Sequence, residues 1–158
     1  MKKSSRHSKI AGDFAEALVL YWLSKHGYEC ARVDHTGIDL IARRPDGPEL
    51  MGISVKCRSR YAGTETNDVT LPLDGFDKAR LACEAFHCLP YYAIVVDSTA
   101  GIQCFLLNLE HLKAVAGTGT KRRFWRMSAQ AIDTYKQDSQ IQRFELQHQF
   151  SSWSDKLV

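Results

Sequence analysis

The segment from residue 37 to 60, GIDLIARRPDGPELMGISVKCRSR, constrains the fold of this chain more than any other stretch. Apolar residues from Ile38 to Ala42 predict one strand, and residues from Leu50 to Cys57 predict another. The sequence Pro-Asp-Gly-Pro between them is typical of a hairpin connection. Because the first strand contains Asp39 and the second contains Lys56, this hairpin places two ionisable side chains on adjacent strands.

The alternation of side chains along a strand assigns these residues to faces. Ser54 and Lys56 share one face of their strand, and we expect the opposite face, with Ile53 and Val55, to cover the core. A carboxylate in an apolar strand is costly unless it is paired or binds a cation. Asp39 can therefore form a half-exposed ion pair with Lys56 at a sheet edge, or it can bind a cation.

Length and composition indicate one globular domain over residues 1–158. The chain has 158 residues, of which 44% are hydrophobic and 25% charged, as is usual for a folded protein. No apolar run is long enough to cross a bilayer, and the basic N-terminus lacks the features of a secretory signal. We therefore expect a cytoplasmic protein with no membrane partner.

The cysteines do not follow the spacing of a zinc site. There are five, an odd number, and no two form a Cys-x-x-Cys pair. Most lie in apolar patterns, where a free thiol behaves as a small hydrophobic side chain. We expect reduced core residues.

Positive charge is bunched along the chain, although the formal net charge is only +3. One group follows the second strand of the hairpin, and another surrounds Phe124 and Trp125. These cations are Arg58 and Arg60 in the first group and Lys121, Arg122 and Arg123 in the second. Bunched cations with aromatic neighbours suit a nucleic-acid backbone, so we expect DNA as a partner. Solvated surface charge is the alternative interpretation.

Periodicity elsewhere predicts the order of elements. The first half is predicted to contain a helix over 8–26 that includes Glu16, and strands over 28–33, 38–42 and 50–57. An extended piece at 69–73 and a helix from an N-cap at Asp74 to 87 follow. The remainder is predicted to contain a hairpin of strands over 91–96 and 102–107, and helices over 108–116 and 129–137. Residues 118–120 predict a flexible link, and 141–150 fit a strand or a helix. We therefore predict an α/β fold: a mixed central sheet flanked by helices, with a core over about 8–110 and a basic, largely helical C-terminal extension over about 118–158.

Three short motifs in this order resemble the PD-(D/E)XK nuclease superfamily. The motifs are GDFAEALVLYWLSKHGY at 12–28, GIDLIA at 37–42 and ISVKCR at 53–58. The resemblance looks closest to the archaeal Holliday junction resolvases and their bacterial relatives. It covers the first third of the chain well and the next third by element order only. It implies a restriction-endonuclease-like fold.

The resemblance also implies a metal-dependent endonuclease. Carried over residue by residue, Asp39 and Glu16 would hold Mg²⁺ or Mn²⁺, and Lys56 would complete the catalytic set. Thr36 lies where resolvases often carry a hydroxyl residue near the phosphate. Phosphodiester hydrolysis is assisted by a hard cation with oxygen ligands and by a nearby positive charge, so these residue types suit the chemistry.

The chain departs from the superfamily pattern at position 54. The pattern places an acid two residues before the lysine, and this chain has Ser54. Three hypotheses follow: an endonuclease acting on branched DNA, a catalytically degenerate nucleic-acid-binding module of the same fold, or a protein-interaction subunit in which Asp39 and Lys56 form a structural ion pair. The choice between DNA and RNA and the formation of a homodimer stay open. In an active site, Ser54→Glu is expected to tighten magnesium binding and to raise cleavage.

Overall fold

The computed structural model describes residues 3–147, which form four helices and nine strands. The helices are α1 (His7–Lys25), α2 (Leu73–Ala85), α3 (Leu109–Val115) and α4 (Ala129–Gln137). The strands are β1 (Glu29–His35), β2 (Ile38–Arg43), β3 (Leu50–Ser59), β4 (Val69–Pro72), β5 (Leu89–Ser98), β6 (Gly101–Asn108), β7 (Gly117–Thr118), β8 (Arg122–Trp125) and β9 (Gln142–Gln147). None of the helices in this range is long and apolar enough to span a membrane.

The central sheet has six strands in the order β1-β2-β3-β5-β6-β9. Only β3 and β5 run parallel; the other pairs are antiparallel. The parallel pair requires a crossover, which β4 and α2 provide. A smaller sheet has the order β4-β8-β7. The predicted fold class, a mixed central sheet flanked by helices, is confirmed.

The central sheet is covered on both faces. On one face, α1 packs on an apolar layer that includes Leu40, Ile53 and Val95. On the other, α2 packs on a layer that includes Tyr92 and Ile94. Ile53 and Val55 face the core as expected, but the face that carries Ser54 is buried as well.

Helix α1 forms where periodicity predicts it, and part of its predicted stripe is buried. Helical spacing predicts a stripe of Phe14, Leu18, Tyr21 and Trp22 with Leu23 beside it. Leu23 is buried, and Leu18 and Trp22 pack partly buried against the core, but Phe14 and Tyr21 are 45% and 58% exposed. The most buried residues are Ala15, Val19 and Leu23, which recur every four residues and pack on the sheet.

The boundaries of α2 differ from the prediction at both ends. Pro72 occupies the N-cap position, and Asp74 lies inside the first turn, where its carboxylate pairs with Lys78 at 2.8 Å. The helix ends at Ala85, two residues before the predicted end, and Pro90 is the second residue of β5, opposite Gly52 of β3. Proline is tolerated at the beginning of a strand, where the loss of one donor matters least.

The C-terminal third differs most from the prediction. The helix predicted over 129–137 forms as α4, and 142–147 forms β9, the strand alternative for 141–150. The strands β7 and β8 were not predicted, and β9 joins the central sheet beside β6. Trp125 is fully buried in the α2-side layer and stacks on Tyr135 with ring centroids 4.0 Å apart. Described residues beyond 117 therefore belong to the core. The remainder of the predicted extension, 148–158, lies outside the described residues.

Candidate active site

The turn between β1 and β2 packs against α2 directly before Asp39. Gly37 has a φ of 108°, a conformation that other residues rarely adopt. A Cβ there would overlap the carbonyl oxygen of Lys78 in α2. The next residue, Ile38, is fully buried against Ala82 and Cys83 of the same helix. The glycine of the Gly-x-Asp motif thus lets the turn lie against α2, directly before Asp39.

Asp39 is half-buried, and a backbone hydrogen bond holds its carboxylate. The N–H of Val55 donates to Oδ2 at 2.6 Å. Because Leu40 pairs with Ile53, the next position along the two strands sets Asp39 opposite Ser54. The carboxylate therefore lies beside the backbone of β3.

Glu16 approaches the same region from α1. It follows the buried Ala15 and is itself half-buried at the flank of the helix. Burial raises the pKa of the Glu16 carboxyl, and the neighbouring charge of Asp39 raises it further. Arg32 opposes this rise; its guanidinium donates to the Asp13 carbonyl oxygen at 3.1 Å. Two carboxylates from distant parts of the sequence therefore lie close enough to repel each other.

Lys56 lies on the same face of β3 as Ser54. Its Nζ lies 5.9 Å from the centroid of the Tyr92 ring. Within residues 3–147, Lys56 makes no ion pair with Asp39 or with any other carboxylate. The structural ion pair that the sequence left open is therefore not formed here, and the ammonium group is available to a ligand.

Ser54 is buried and does not line the surface of the site. It is only 1% exposed and pairs with Tyr92 of β5. Thr36, the other hydroxyl residue expected at the site, lies in the turn before β2 with its side chain in solvent. The structure therefore brings Glu16 close to Asp39 and places Lys56 on the face of β3 that carries the buried Ser54. Thr36 lies exposed in the turn before β2.

The two carboxylates fit the ligand needs of a hard divalent cation. No group of three or more His, Cys, Asp or Glu residues that could hold a metal ion occurs in the described part of the chain. Mg²⁺, however, often binds through one or two protein carboxylates and keeps several waters. Asp39 and Glu16 supply such a pair at a half-buried position.

Two of the predicted DNA-binding residues are occupied by contacts within the protein. Arg58 donates to the carbonyl oxygens of Cys57 at 2.7 Å and Thr70 at 3.2 Å. Arg60 donates to the carbonyl oxygens at 67 and 68, both at 2.9 Å. Burial lowers the pKa of Arg60, and the charge of Arg58 lowers it further. These arginines tie β3 to the segment that leads into β4.

The second basic cluster is more accessible. Lys121 and Arg122 are exposed, and Arg123 is half-buried with a hydrogen bond to Thr118. Arg122 pairs with Pro72, and the Lys121 carbonyl accepts from the Leu73 N–H at 3.2 Å. This cluster therefore adjoins the first turn of α2, the turn whose Gly75 lies next to the Tyr92 hydroxyl.

Tyr92 also lies near these residues, and no pattern in the sequence predicts this. It stands in an apolar run typical of a buried strand. Only the parallel register between β3 and β5 places it beside Ser54 and near Lys56. That register depends on a crossover through α2, and local patterns do not encode it.

Comparison with known proteins identifies the fold. No protein-family model matches the chain, and no curated protein matches it. Among solved structures, the chain is similar to Hjc from Archaeoglobus fulgidus, a Holliday junction resolvase from an archaeal hyperthermophile, with a TM-score of 0.57 and 17% sequence identity. The match covers 86% of this chain and 90% of Hjc. The chain therefore has an α/β fold of the Hjc, restriction-endonuclease-like type.

Proposed function

We propose that this protein is a metal-dependent endodeoxyribonuclease of the PD-(D/E)XK type that hydrolyses phosphodiester bonds in branched DNA. One observation carries the proposal: the carboxylates of Glu16 and Asp39, from α1 and β2, lie close enough to interact, and Lys56 of β3, on the strand opposite Asp39, makes no ion pair with Asp39. The similarity to a resolvase structure supports the choice of DNA substrate.

The residues present suit three separate roles. Asp39 and Glu16 would hold Mg²⁺ or Mn²⁺, which when bound polarises a phosphoryl oxygen and lowers the pKa of a bound water. The Lys56 ammonium places a point charge where negative charge develops on the phosphate. Lys121 and Arg122, which are exposed beside α2, contact the DNA backbone. The half-buried setting of the carboxylates strengthens each electrostatic contact.

Cleavage and affinity measured together test this proposal. Wild type is expected to cleave flapped or four-way DNA with Mn²⁺ or Mg²⁺. Asp39→Asn and Lys56→Ala are each expected to lower the rate by about 100-fold or more. Both should leave DNA affinity within roughly threefold, because neither residue supplies the exposed basic surface. Asp46→Asn, in the exposed turn of the hairpin, is the matched control and should cleave as wild type does. Full cleavage by Asp39→Asn would contradict the proposal.

A second function is favoured by the burial of Ser54. Because Ser54 is 1% exposed and packed beside Tyr92, it cannot serve as an accessible ligand in place of the acid. A protein with this fold can then bind nucleic acid without cutting it. In that case no variant cleaves, and Asp39→Asn binds DNA more tightly because a negative charge leaves the phosphate path.

A further inference from the structure

Two of the cysteines lie together at the end of α2. Cys83 is 2% exposed, whereas Cys88 is half-buried. Both are free thiols, and their side chains hydrogen-bond to each other. Both sulfurs lie over Gly52 of β3, because a Cβ at that position would be 2.5 Å from one and 2.6 Å from the other. Since Gly52 has no side chain, residue 52 does not separate the two thiols.

The backbone at the end of α2 holds the two cysteines in this arrangement. The Cys88 N–H donates to the Cys83 carbonyl oxygen at 2.9 Å, and the His87 N–H donates to the Glu84 carbonyl oxygen at 3.3 Å. His87 has a φ of 51°, which lies in the left-handed region. These features form a Schellman motif, in which the side chains at the two ends of the outer hydrogen bond commonly touch. Cys83 and Cys88 occupy those two positions.

The pair is reached from solvent through Cys88. Residues 84–87, which connect the two cysteines, are exposed. The Cys83 thiol is enclosed and donates to the Gly52 carbonyl oxygen at 3.7 Å. Burial raises the pKa of the Cys83 thiol to about 12. Burial also raises the pKa of Cys88, but the hydrogen bond from Cys83 opposes that rise. Cys88 is therefore the first of the two to react.

We propose that Cys83 and Cys88 form a dithiol site that a small-molecule disulfide oxidises to an intramolecular disulfide. The Cys88 thiolate attacks one sulfur of the oxidant, whose S–S bond breaks and releases one thiolate. The Cys83 thiolate then attacks the Cys88 sulfur of the mixed disulfide and releases the second thiolate. Two electrons pass from the cysteines to the oxidant, and the protons of both cysteine thiols go to the two released thiolates.

The new bond links the last turn of α2 to the residue that precedes β5. The same helix supports the turn before the candidate active site, because the Lys78 carbonyl oxygen lies against Gly37. Oxidation therefore acts on the helix behind that turn and uses no residue of the site. Neither DNA nor a metal ion takes part, so the dithiol site stands or falls independently of the proposed function.

Equilibration of the full chain with glutathione buffers in EDTA tests the dithiol site. The reaction is run at about pH 8.5, because thiolates are the attacking species. Wild type is expected to form a Cys83–Cys88 disulfide, identified by mass spectrometry of proteolytic fragments after alkylation of the remaining thiols. Dithiothreitol should restore both thiols. The effective concentration of one thiol toward the other should be at least about 10-fold higher in the folded chain than in urea, where the Schellman motif is lost.

Serine variants separate the roles of the two cysteines. Cys83→Ser should stop at the mixed disulfide between Cys88 and glutathione, and Cys88→Ser should leave Cys83 reduced. Cys30→Ser is the matched control: Cys30 is also half-buried but lies by the Leu20 carbonyl of α1, so this variant should still form the disulfide.

Three results with wild type, which need no variant to fold, would overturn the dithiol site. The first is a folded chain that keeps both thiols in the most oxidising buffer. The second is a disulfide that joins other cysteines instead. The third is an effective concentration that is no higher in the folded chain than in urea.

Discussion

The burial of Ser54 changes the expected effect of placing an acid at this position. From sequence, an acid at this position is expected to add a metal ligand facing a cleft. In the structure, the side chain is buried between Asp39 and Tyr92 and has little room to grow. Any acid placed there must first displace its neighbours and tolerate the charge of Asp39.

Ser54→Glu is therefore expected to destabilise the protein when no metal is present. Overpacking should lower the free energy of unfolding by about 1–3 kcal/mol in EDTA. Mn²⁺ should restore part of this loss, because a ligand that binds only the folded state stabilises it. Chemical denaturation with and without Mn²⁺ measures both effects. Ser54→Ala is the size control in EDTA, and a Ser54→Glu protein as stable as wild type in EDTA would refute the prediction.

At the scale of elements, the basic residues at the end of β3 differ from those on β8 in how they are engaged by the fold. Arg58 and Arg60 donate to backbone carbonyls between β3 and β4, so their charge is engaged inside the fold. Arg122 is exposed on β8, next to the start of α2. From sequence, both groups are expected to contact DNA.

Arg122→Glu is expected to weaken DNA binding without weakening the fold. Loss of one phosphate contact should reduce the slope of log K against log salt by about 1, equally for different DNA sequences. Binding measured by fluorescence anisotropy over a salt series reports this slope. Lys136→Glu, at an exposed cation of α4, is the charge control. If the slope is unchanged for Arg122→Glu, Arg122 of β8 does not contact the DNA backbone.

At the scale of the whole molecule, the C-terminal third closes the core. Trp125 lies between Phe105 of β6 and Tyr135 of α4, with ring centroids at 5.3 and 4.0 Å. On the opposite face, Phe144 of β9 stacks on Trp22 of α1 at 4.2 Å. Both faces of the central sheet therefore depend on residues beyond 117.

Trp125→Ala is expected to lower the free energy of unfolding by about 3–5 kcal/mol, because it removes a fully buried ring and leaves a cavity. The loss should appear in a single unfolding transition, monitored by circular dichroism during denaturation. Tyr21→Ala, whose ring is 58% exposed on α1, should change stability by only about 0.5 kcal/mol. A small effect of Trp125→Ala, or a separate transition for the C-terminal part, would show that this part is an appendage.

The sequence by itself determined the elements whose signals are local. The apolar runs, the Pro-Asp-Gly-Pro turn and the alternation along β3 depend on neighbouring residues, and local patterns of this kind predicted the β2–β3 hairpin and the helices α1, α2, α3 and α4. The order of these elements was enough for the fold class. It also singled out Asp39, Lys56 and Glu16, although their roles remain predictions.

Only the tertiary structure decided which residues meet. The parallel register of β3 and β5 places Tyr92 beside Ser54, and helix–sheet packing buries Ala15 in place of Phe14. The tertiary structure also engages Arg60 with the backbone carbonyls of residues 67 and 68. It buries Trp125, which lies in a charged segment of the sequence. Which residues become buried depends on how all the elements pack against one another. Local sequence patterns do not contain this information.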